Sequence, residues 1–204
     1  MPVREILLYP KDKAALRARS ETVHIFNKKT KGLIDDLKIT LFAHDDGIGL
    51  AAPQIGVHLR VVIVRLGARD DLDKQVGPPI ALINPYIVES GDERKDFDGC
   101  LSFPGLYGYT IRPHSLRVRG IAKDGKSFDR IFSGFDAVLV HHELDHLDGV
   151  LFIDRIQSLD DLYRVSTDMH GKTVQVPVSE FILSTRPSDI PNLSLGTGKP
   201  RPSK

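Results

Sequence analysis

Apolar residues recur along the chain with two periods, and the elements follow from where each period holds. Over residues 27–44 the apolar positions are Leu33, Ile34, Leu37, Ile39, Leu41 and Phe42. Their spacings of three and four place them on one side of a helix. Residues 60–65 read Arg-Val-Val-Ile-Val-Arg, a β-branched run that predicts a strand. Residues 80–83 and 86–88 predict a strand pair, or one bent strand around Asn84-Pro85, followed by a charged turn over 89–96. Residues 115–121 and 127–132 flank Lys123-Asp124-Gly125-Lys126, whose Asp-Gly step signals a hairpin. Gly134 then opens a helix that runs to about Leu147. Smaller features are an extended piece at 6–8, a break at Pro10, a helical turn over 13–19 and a polar loop over 68–79. A helix over 159–165 and a β-like stretch over 173–183 complete the pattern. Strand pieces with one long helix early and one late predict an α+β fold rather than alternating βαβ units. In that fold short antiparallel strands pack around a central helix, with a second long N-terminal helix.

The periodicity fades after residue 183. Residues 184–204 are rich in Ser, Pro, Gly and Thr and carry little apolar content, which predicts a loose tail. The organisation expected is one domain over 1–183 and a tail over 184–204. Apolar residues make up 41% of the chain, enough for a real core, and the net charge is +1. With no long basic stripe, sequence-specific nucleic acid is not expected as a partner. Lys28, Lys29 and Lys31 read as a solvated helix face. Cys100 has no second cysteine to pair with, and a lone thiol fits a reducing compartment. Residues 1–10 are too short and interrupted for a signal peptide, and no apolar run approaches a membrane span. A cytoplasmic protein with no membrane partner is expected.

Chemistry enters at His141-His142-Glu143-Leu144-Asp145-His146. Residues four apart on a helix lie about 40° apart around its axis. His142 and His146 therefore share a face, suited to chelating a divalent metal with Glu143 beside it as a general base. His141 points about 100° away and is expected at the surface or in packing, paired with Asp145. Asp145 is expected to face solvent or His141. His24, His44, His58, His114 and His170 show no ligand spacing and read as surface residues.

A catalytic site needs a third ligand and an open position. A histidine continuing the same motif is one source, but Phe152 stands at that place and cannot ligate. A downstream carboxylate is another, with Asp160, Asp161 and Glu180 available in unconvincing contexts. Cys100 is the third, in Asp98-Gly99-Cys100-Leu101-Ser102, where Gly99 permits close approach of the backbone. A thiolate with two imidazoles would suit Fe(II), Zn(II), Ni(II) or Co(II).

Three segments in order resemble the peptide deformylase family: Gly47-Ile48-Gly49-Leu50-Ala51-Ala52-Pro53-Gln54, Asp98-Gly99-Cys100-Leu101-Ser102 and His142-Glu143-Leu144-Asp145-His146. The resemblance extends from Ile6 to Ile156. It departs at Asp98, where the family's second motif usually begins with glutamate. The shorter carboxylate would hold a nearby arginine, Arg112 being the candidate.

The resemblance implies removal of the formyl group from N-terminal formyl-methionine of nascent polypeptides, with transient ribosome contact as the family's role suggests. It implies Cys100, His142 and His146 as metal ligands, Fe(II) as the working metal, and Glu143 as base and then acid. The Gln54 side-chain amide and the Leu101 backbone N–H would stabilise the oxyanion. A tight cavity is expected, with Gly47 and Gly49 letting the chain pass close. Ile48, Phe135, Val138 and Leu139 are candidates for the methionine pocket, and the loop 103–109 for a wall. A different small acyl-amide substrate, or a purely structural metal, are the competing readings; intact Glu143 and Gln54 argue against the second.

Overall fold

The computed structural model describes residues 2–67, 76–167 and 173–180. In chain order these form α1 (Lys13–Leu16), α2 (Lys28–Phe42), β1 (Gly49–Ala51), β2 (Val61–Val64), β3 (Ile80–Gly99) and β4 (Leu106–Ala122). β5 (Ser127–Ser133), α3 (Phe135–Leu147), β6 (Leu162–Thr167) and β7 (Thr173–Pro177) follow. The strands make one antiparallel sheet in the order β1-β2-β3-β4-β6-β7, and β5 also pairs with β4. Helices on an antiparallel sheet make the α+β class that the periodicity predicts. Among the described residues no helix is long and apolar enough to cross a membrane.

α2 begins where Asn27 caps it, its side chain accepting from the backbone N–H groups of Lys29 and Thr30. Leu33, Ile34, Leu37 and Leu41 form its buried face and pack with Ile55, Val61 and Ile63. α3 begins at Gly134, whose φ of 59° and ψ of −138° exclude side-chain-bearing residues. Every residue of α3 from Ala137 to Leu147 is buried. Ala137, Val140, Leu144 and Leu147 meet Val62, Val64, Leu116 and Val118 of the sheet. A helix enclosed on all sides must satisfy its polar residues internally.

Three expectations fail. Residues 89–96 are not a turn, and the strands are not all short: β3 continues through them and pairs with β4 from Leu82↔Ala122 to Gly99↔Tyr107. Asn84, at φ 50°, and two register shifts absorb the irregularity at Asn84-Pro85 as a bend within the strand. The exposed charges Glu89, Asp92, Glu93, Arg94 and Lys95 suit a strand with one open edge. The helix expected over 159–165 is a single turn, Leu159–Asp161, followed by β6. Pairing of Leu106–Gly108 with 162–164, and a bond from Val165 N–H to the Gly105 carbonyl at 2.9 Å, override helical propensity there. Of the stretch 173–183, Thr173–Pro177 is strand and 181–183 lie outside the described residues, as do the tail 184–204 and residues 68–75 of the polar loop.

β3 and β4 are the arms of one long hairpin whose connection is residues 100–105. That connection lies over α3.

Candidate metal centre

His142 and His146 lie one turn apart on α3 with ring centroids 5.0 Å apart. Cys100 opens the connection after β3, in a turn closed by the Phe103 N–H on the Cys100 carbonyl at 2.8 Å. Its Sγ lies 3.2 Å from His146 Nε2. One donor atom from each of Cys100, His142 and His146 falls within 4.8 Å of the others, the one such group among the described residues. Phe152 is buried and packs edge-on against Phe103 at 5.0 Å. Asp161 takes Lys95 at 2.5 Å, and neither it, Asp160 nor Glu180 joins the group.

The donors fit a divalent ion. His142 Nδ1 lies 2.8 Å from Asp98 Oδ1, which fixes that nitrogen as the protonated one and leaves Nε2 for a ligand. Burial opposes a charged His142, but the adjacent Asp98 carboxylate overrides it and raises the group well above an ordinary histidine. Burial, with His142 alongside, lowers His146 to about 3, so its ring is neutral. His146 Nδ1 is buried with no hydrogen-bond partner among the described residues. A sulfur and two imidazole nitrogens converging in a closed site form a soft, three-point donor set.

Glu143 points into the same space. Burial pushes its carboxyl up to about 7 against the pull of His142, so it can exchange a proton near neutrality. Its Oε2 has no partner among the described residues. β1 passes directly beside it: a Cβ on Gly49 would collide with Glu143 Oε1 and sit 2.8 Å from its Cδ. Gly47 also lines the cavity, but its missing side chain makes room for the Leu41 carbonyl, 2.8 Å from a Cβ there. Gln54 serves two ends. Its Oε1 accepts from Ala51 N–H at 2.8 Å, while Nε2 donates to Ser102 Oγ at 3.2 Å and faces Cys100 Sγ at 3.5 Å.

Cys100, His142, Glu143 and Gln54 open onto a cavity of about 730 Å³. Ile48, Gly49, Leu101, Phe135, Val138 and Leu139 all line it. Phe103, Pro104, Gly105 and Tyr107 form one wall; Tyr109, expected there, does not line it. Ile6 and Leu8 of the N-terminal segment and Phe97 of β3 also reach the cavity, which the sequence did not signal.

The polar network behind the ligands departs further from expectation. Asp145 pairs with His141 as expected, its Oδ2 3.8 Å from Nδ1, but neither faces solvent; both are buried. Arg112, with no exposed surface, reaches both: its Nη1 is 2.8 Å from His141 Nδ1 and 2.7 Å from Asp145 Oδ2. Arg112 Nε also meets Asp98 Oδ2 at 2.7 Å, and Thr110 Oγ1 donates to that oxygen at 3.1 Å. Burial pushes the Asp98 carboxyl up, but His142 and Arg112 override it and hold it well below the carboxylate range. Asp145 behaves the same way: burial raises it, and Arg112, His141 and Arg155 hold it far down. Burial lowers His141 to about 4. The available signal was the unbroken apolar run Ala137–Val140 ahead of the histidines, which marks a helix without a solvent face. Of the remaining histidines, His58 has its Nε2 2.9 Å from the Ala15 carbonyl, and His114 Nε2 lies 3.2 Å from Asp96 Oδ2 without hydrogen-bond geometry. His170 lies outside the described residues.

The sequence pattern that defines the polypeptide deformylase family matches residues 3–161. Peptide deformylase 1 of Bacillus subtilis is 42% identical over 156 residues, 76% of this chain and 91% of that protein. The peptide deformylase of Aquifex aeolicus is 38% identical over 157 residues, 76% of this chain and 88% of that protein. The crystal structure of Ehrlichia chaffeensis peptide deformylase in complex with actinonin superposes with a TM-score of 0.69 at 32% identity, covering 78% of this chain and 91% of that one. In sequence over most of its length and in fold, this chain belongs to the polypeptide deformylase family.

Proposed function

We infer that this chain removes the formyl group from the N-terminal formyl-methionine of newly made polypeptides, and that the groups around Cys100, His142 and His146 do so. It is a metal-dependent amide hydrolase that releases formate. The observation that carries the site assignment is the convergence of Cys100, His142, a carboxyl of pKa about 7 and the Gln54 amide on one cavity, with His146 completing the three-donor group beside it.

In this reading Cys100, His142 and His146 hold the metal, and α3 is the central helix around which the strands pack. We assign Fe(II), with Zn(II), Ni(II) or Co(II) as compatible alternatives for one thiolate and two imidazoles. When bound, the metal supplies an acidified water and a Lewis acid for the formyl oxygen. Glu143 takes the proton of the attacking water at its carboxylate and later delivers it to the departing amine. Gln54 Nε2 and the Leu101 backbone N–H donate to the oxygen as negative charge develops on it. Gly49 brings the substrate's reacting end against Glu143, which leaves room for a formyl group. Ile48, Phe135, Val138 and Leu139 receive the methionine side chain. Residues 1–183 would form the catalytic unit and 184–204 an appended tail. Its substrate is the nascent chain, met in the cytoplasm with transient ribosome contact.

The test is formate release from a formyl-Met tripeptide by protein purified without oxygen and loaded with Fe(II) or Ni(II). Release that vanishes in Glu143→Ala while the metal stays bound is the expected result. Full metal occupancy without release, or equal release from formyl peptides lacking methionine, would overturn the reading.

A further inference from the structure

Four charged side chains outside the ligand set form a file that links the protein surface to His142, and one of them, Arg112, also reaches the ring directly, its Nη2 3.4 Å from His142 Nδ1. Arg155, one-third exposed, grips both oxygens of Asp145, with Nη2 2.7 Å from Oδ1 and Nε 3.1 Å from Oδ2. Asp145 Oδ2 takes Arg112 Nη1 at 2.7 Å. Arg112 Nε takes Asp98 Oδ2 at 2.7 Å, and Asp98 Oδ1 meets His142 Nδ1 at 2.8 Å. Cation and anion alternate along the file, and each member comes from a different part of the chain: the turn Phe152–Arg155, α3, β4 and β3.

Arg112 is the pivot. One buried guanidinium serves two buried carboxylates, and each draws it away from the other. Arg155 neutralises Asp145 from the far side with a two-point contact, so Arg112 is free to keep Nε on Asp98. Without Arg155, Asp145 would have one cation left, and Arg112 would be drawn toward it. The Asp98 carboxylate would keep the Thr110 hydroxyl and the Gly99 N–H but lose its charged contact, and the His142 ring would be held less firmly.

The placement of Arg155 is itself built. Phe152 and Ile153 are buried, and Leu151 N–H donates to Asp154 Oδ2 at 2.8 Å. Ile156 bridges to Thr110 of β4, two residues from Arg112, and the Thr110 hydroxyl donates to Asp98. The chain that carries Arg155 is thus stitched to the strand that carries the pivot.

We propose that Arg155 is a positioning residue of the metal centre: through Asp145, Arg112 and Asp98 it holds the His142 ring, and so sets how firmly the centre keeps its metal. The proposal rests on the ligand set given above. Groups that orient a metal-bound histidine from behind are worth about 10–100-fold in metal affinity.

The experiment loads full-length wild type, Arg155→Ala, Arg155→Lys and Arg17→Ala with Co(II). It records the visible absorption bands and the rate of Co(II) transfer to a chelator. Arg17 pairs with Asp154, the neighbour of Arg155 on the same turn, without touching the file. Expected are release at least about tenfold faster in Arg155→Ala, with displaced ligand-field bands. Arg155→Lys, which keeps the charge but not the two-point grip, should fall between. Arg17→Ala should match wild type in both readouts. Unchanged bands and release in Arg155→Ala would overturn the proposal, as would Arg17→Ala releasing metal as fast, since loosening of the turn would then suffice. If Arg155→Ala does not fold, Arg155→Lys decides: wild-type bands and release overturn the proposal. Wild-type protein without a thiolate-to-Co(II) charge-transfer band would overturn the ligand set and the proposal together. Wild-type uptake with an unaltered variant overturns the proposal alone.

Discussion

Gly49 and Glu143 touch with no room between them: a Cβ on the glycine would lie 2.8 Å from the carboxylate carbon of the glutamate. The carboxylate of the proposed base is thus positioned by a backbone from another element, and the missing side chain is part of that fit. Gly49→Ala should displace the carboxylate and lower kcat about 100-fold, the scale of a misplacement near 1 Å. Metal content should stay at the wild-type level. Steady-state formate release with metal analysis checks this; wild-type kcat in a folded variant would refute it.

Gln54 divides its amide between a structural acceptor and a donor facing the site. Gln54→Ala should lose both functions. We expect kcat to fall about 10²–10³-fold and stability by about 1–3 kcal/mol, because the buried Ala51 N–H loses its acceptor. Gln54→Glu keeps the acceptor and drops the donor, so its stability should recover while kcat does not. Thermal denaturation and kinetics on the two variants separate the roles.

Acid should unfold the metal-free protein through the Arg112 network. Burial raises Asp145, but Arg112, His141 and Arg155 override it and hold its folded value below the unfolded value of about 3.9. A depressed folded value means the stabilisation is complete above the unfolded pKa and is lost as pH falls below it. The acid midpoint should therefore lie below about pH 4. Asp98→Asn, which leaves Arg112 buried with half its counter-charge, should cost about 3–5 kcal/mol and raise that midpoint. Far-UV circular dichroism against pH measures it.

Oxygen should inactivate the Fe(II) form, because a thiolate beside a redox-active metal climbs the cysteine oxidation ladder. Ni(II) or Co(II) in the same site should protect. Mass spectrometry of Cys100 alongside residual activity follows both; an Fe(II) form that keeps full activity and an unmodified Cys100 after long exposure to air would count against this.

The two histidines of the proposed ligand set were legible before the fold because they sit in one short local pattern. His142, Glu143 and His146 are fixed relative to one another by helix geometry alone, and α2 announced itself by its apolar spacing. Cys100 was one of three candidate sources of a third ligand until its resemblance to a motif singled it out, since a lone cysteine has no periodicity. What failed was set by distant pairing. Residues 89–96 carry the composition of a turn and become strand because β4 lies beside them. Asp145 looks solvent-facing on a helical wheel, and is buried because Arg112, thirty-three residues upstream, arrives from β4. Gly47 and Gly49 look alike in sequence, yet one makes room for Leu41 and the other for Glu143.

The β3–β4 hairpin gives the enzyme an uneven tolerance to changes in length. Asp98 and Gly99 sit at its closed end, paired with Gly108 and Tyr107, and Cys100 follows directly, so one residue added between Asp98 and Cys100 would turn the sulfur to the wrong side. Two register shifts already lie further back, at 83/86 and 87/89. They act as slack in the ribbon: an insertion beside them can bulge outward while the tip stays in register. Tags, spacers or grafted peptides should therefore be accepted around Tyr86–Glu89 and refused between Asp98 and Cys100, although both stretches belong to the same hairpin.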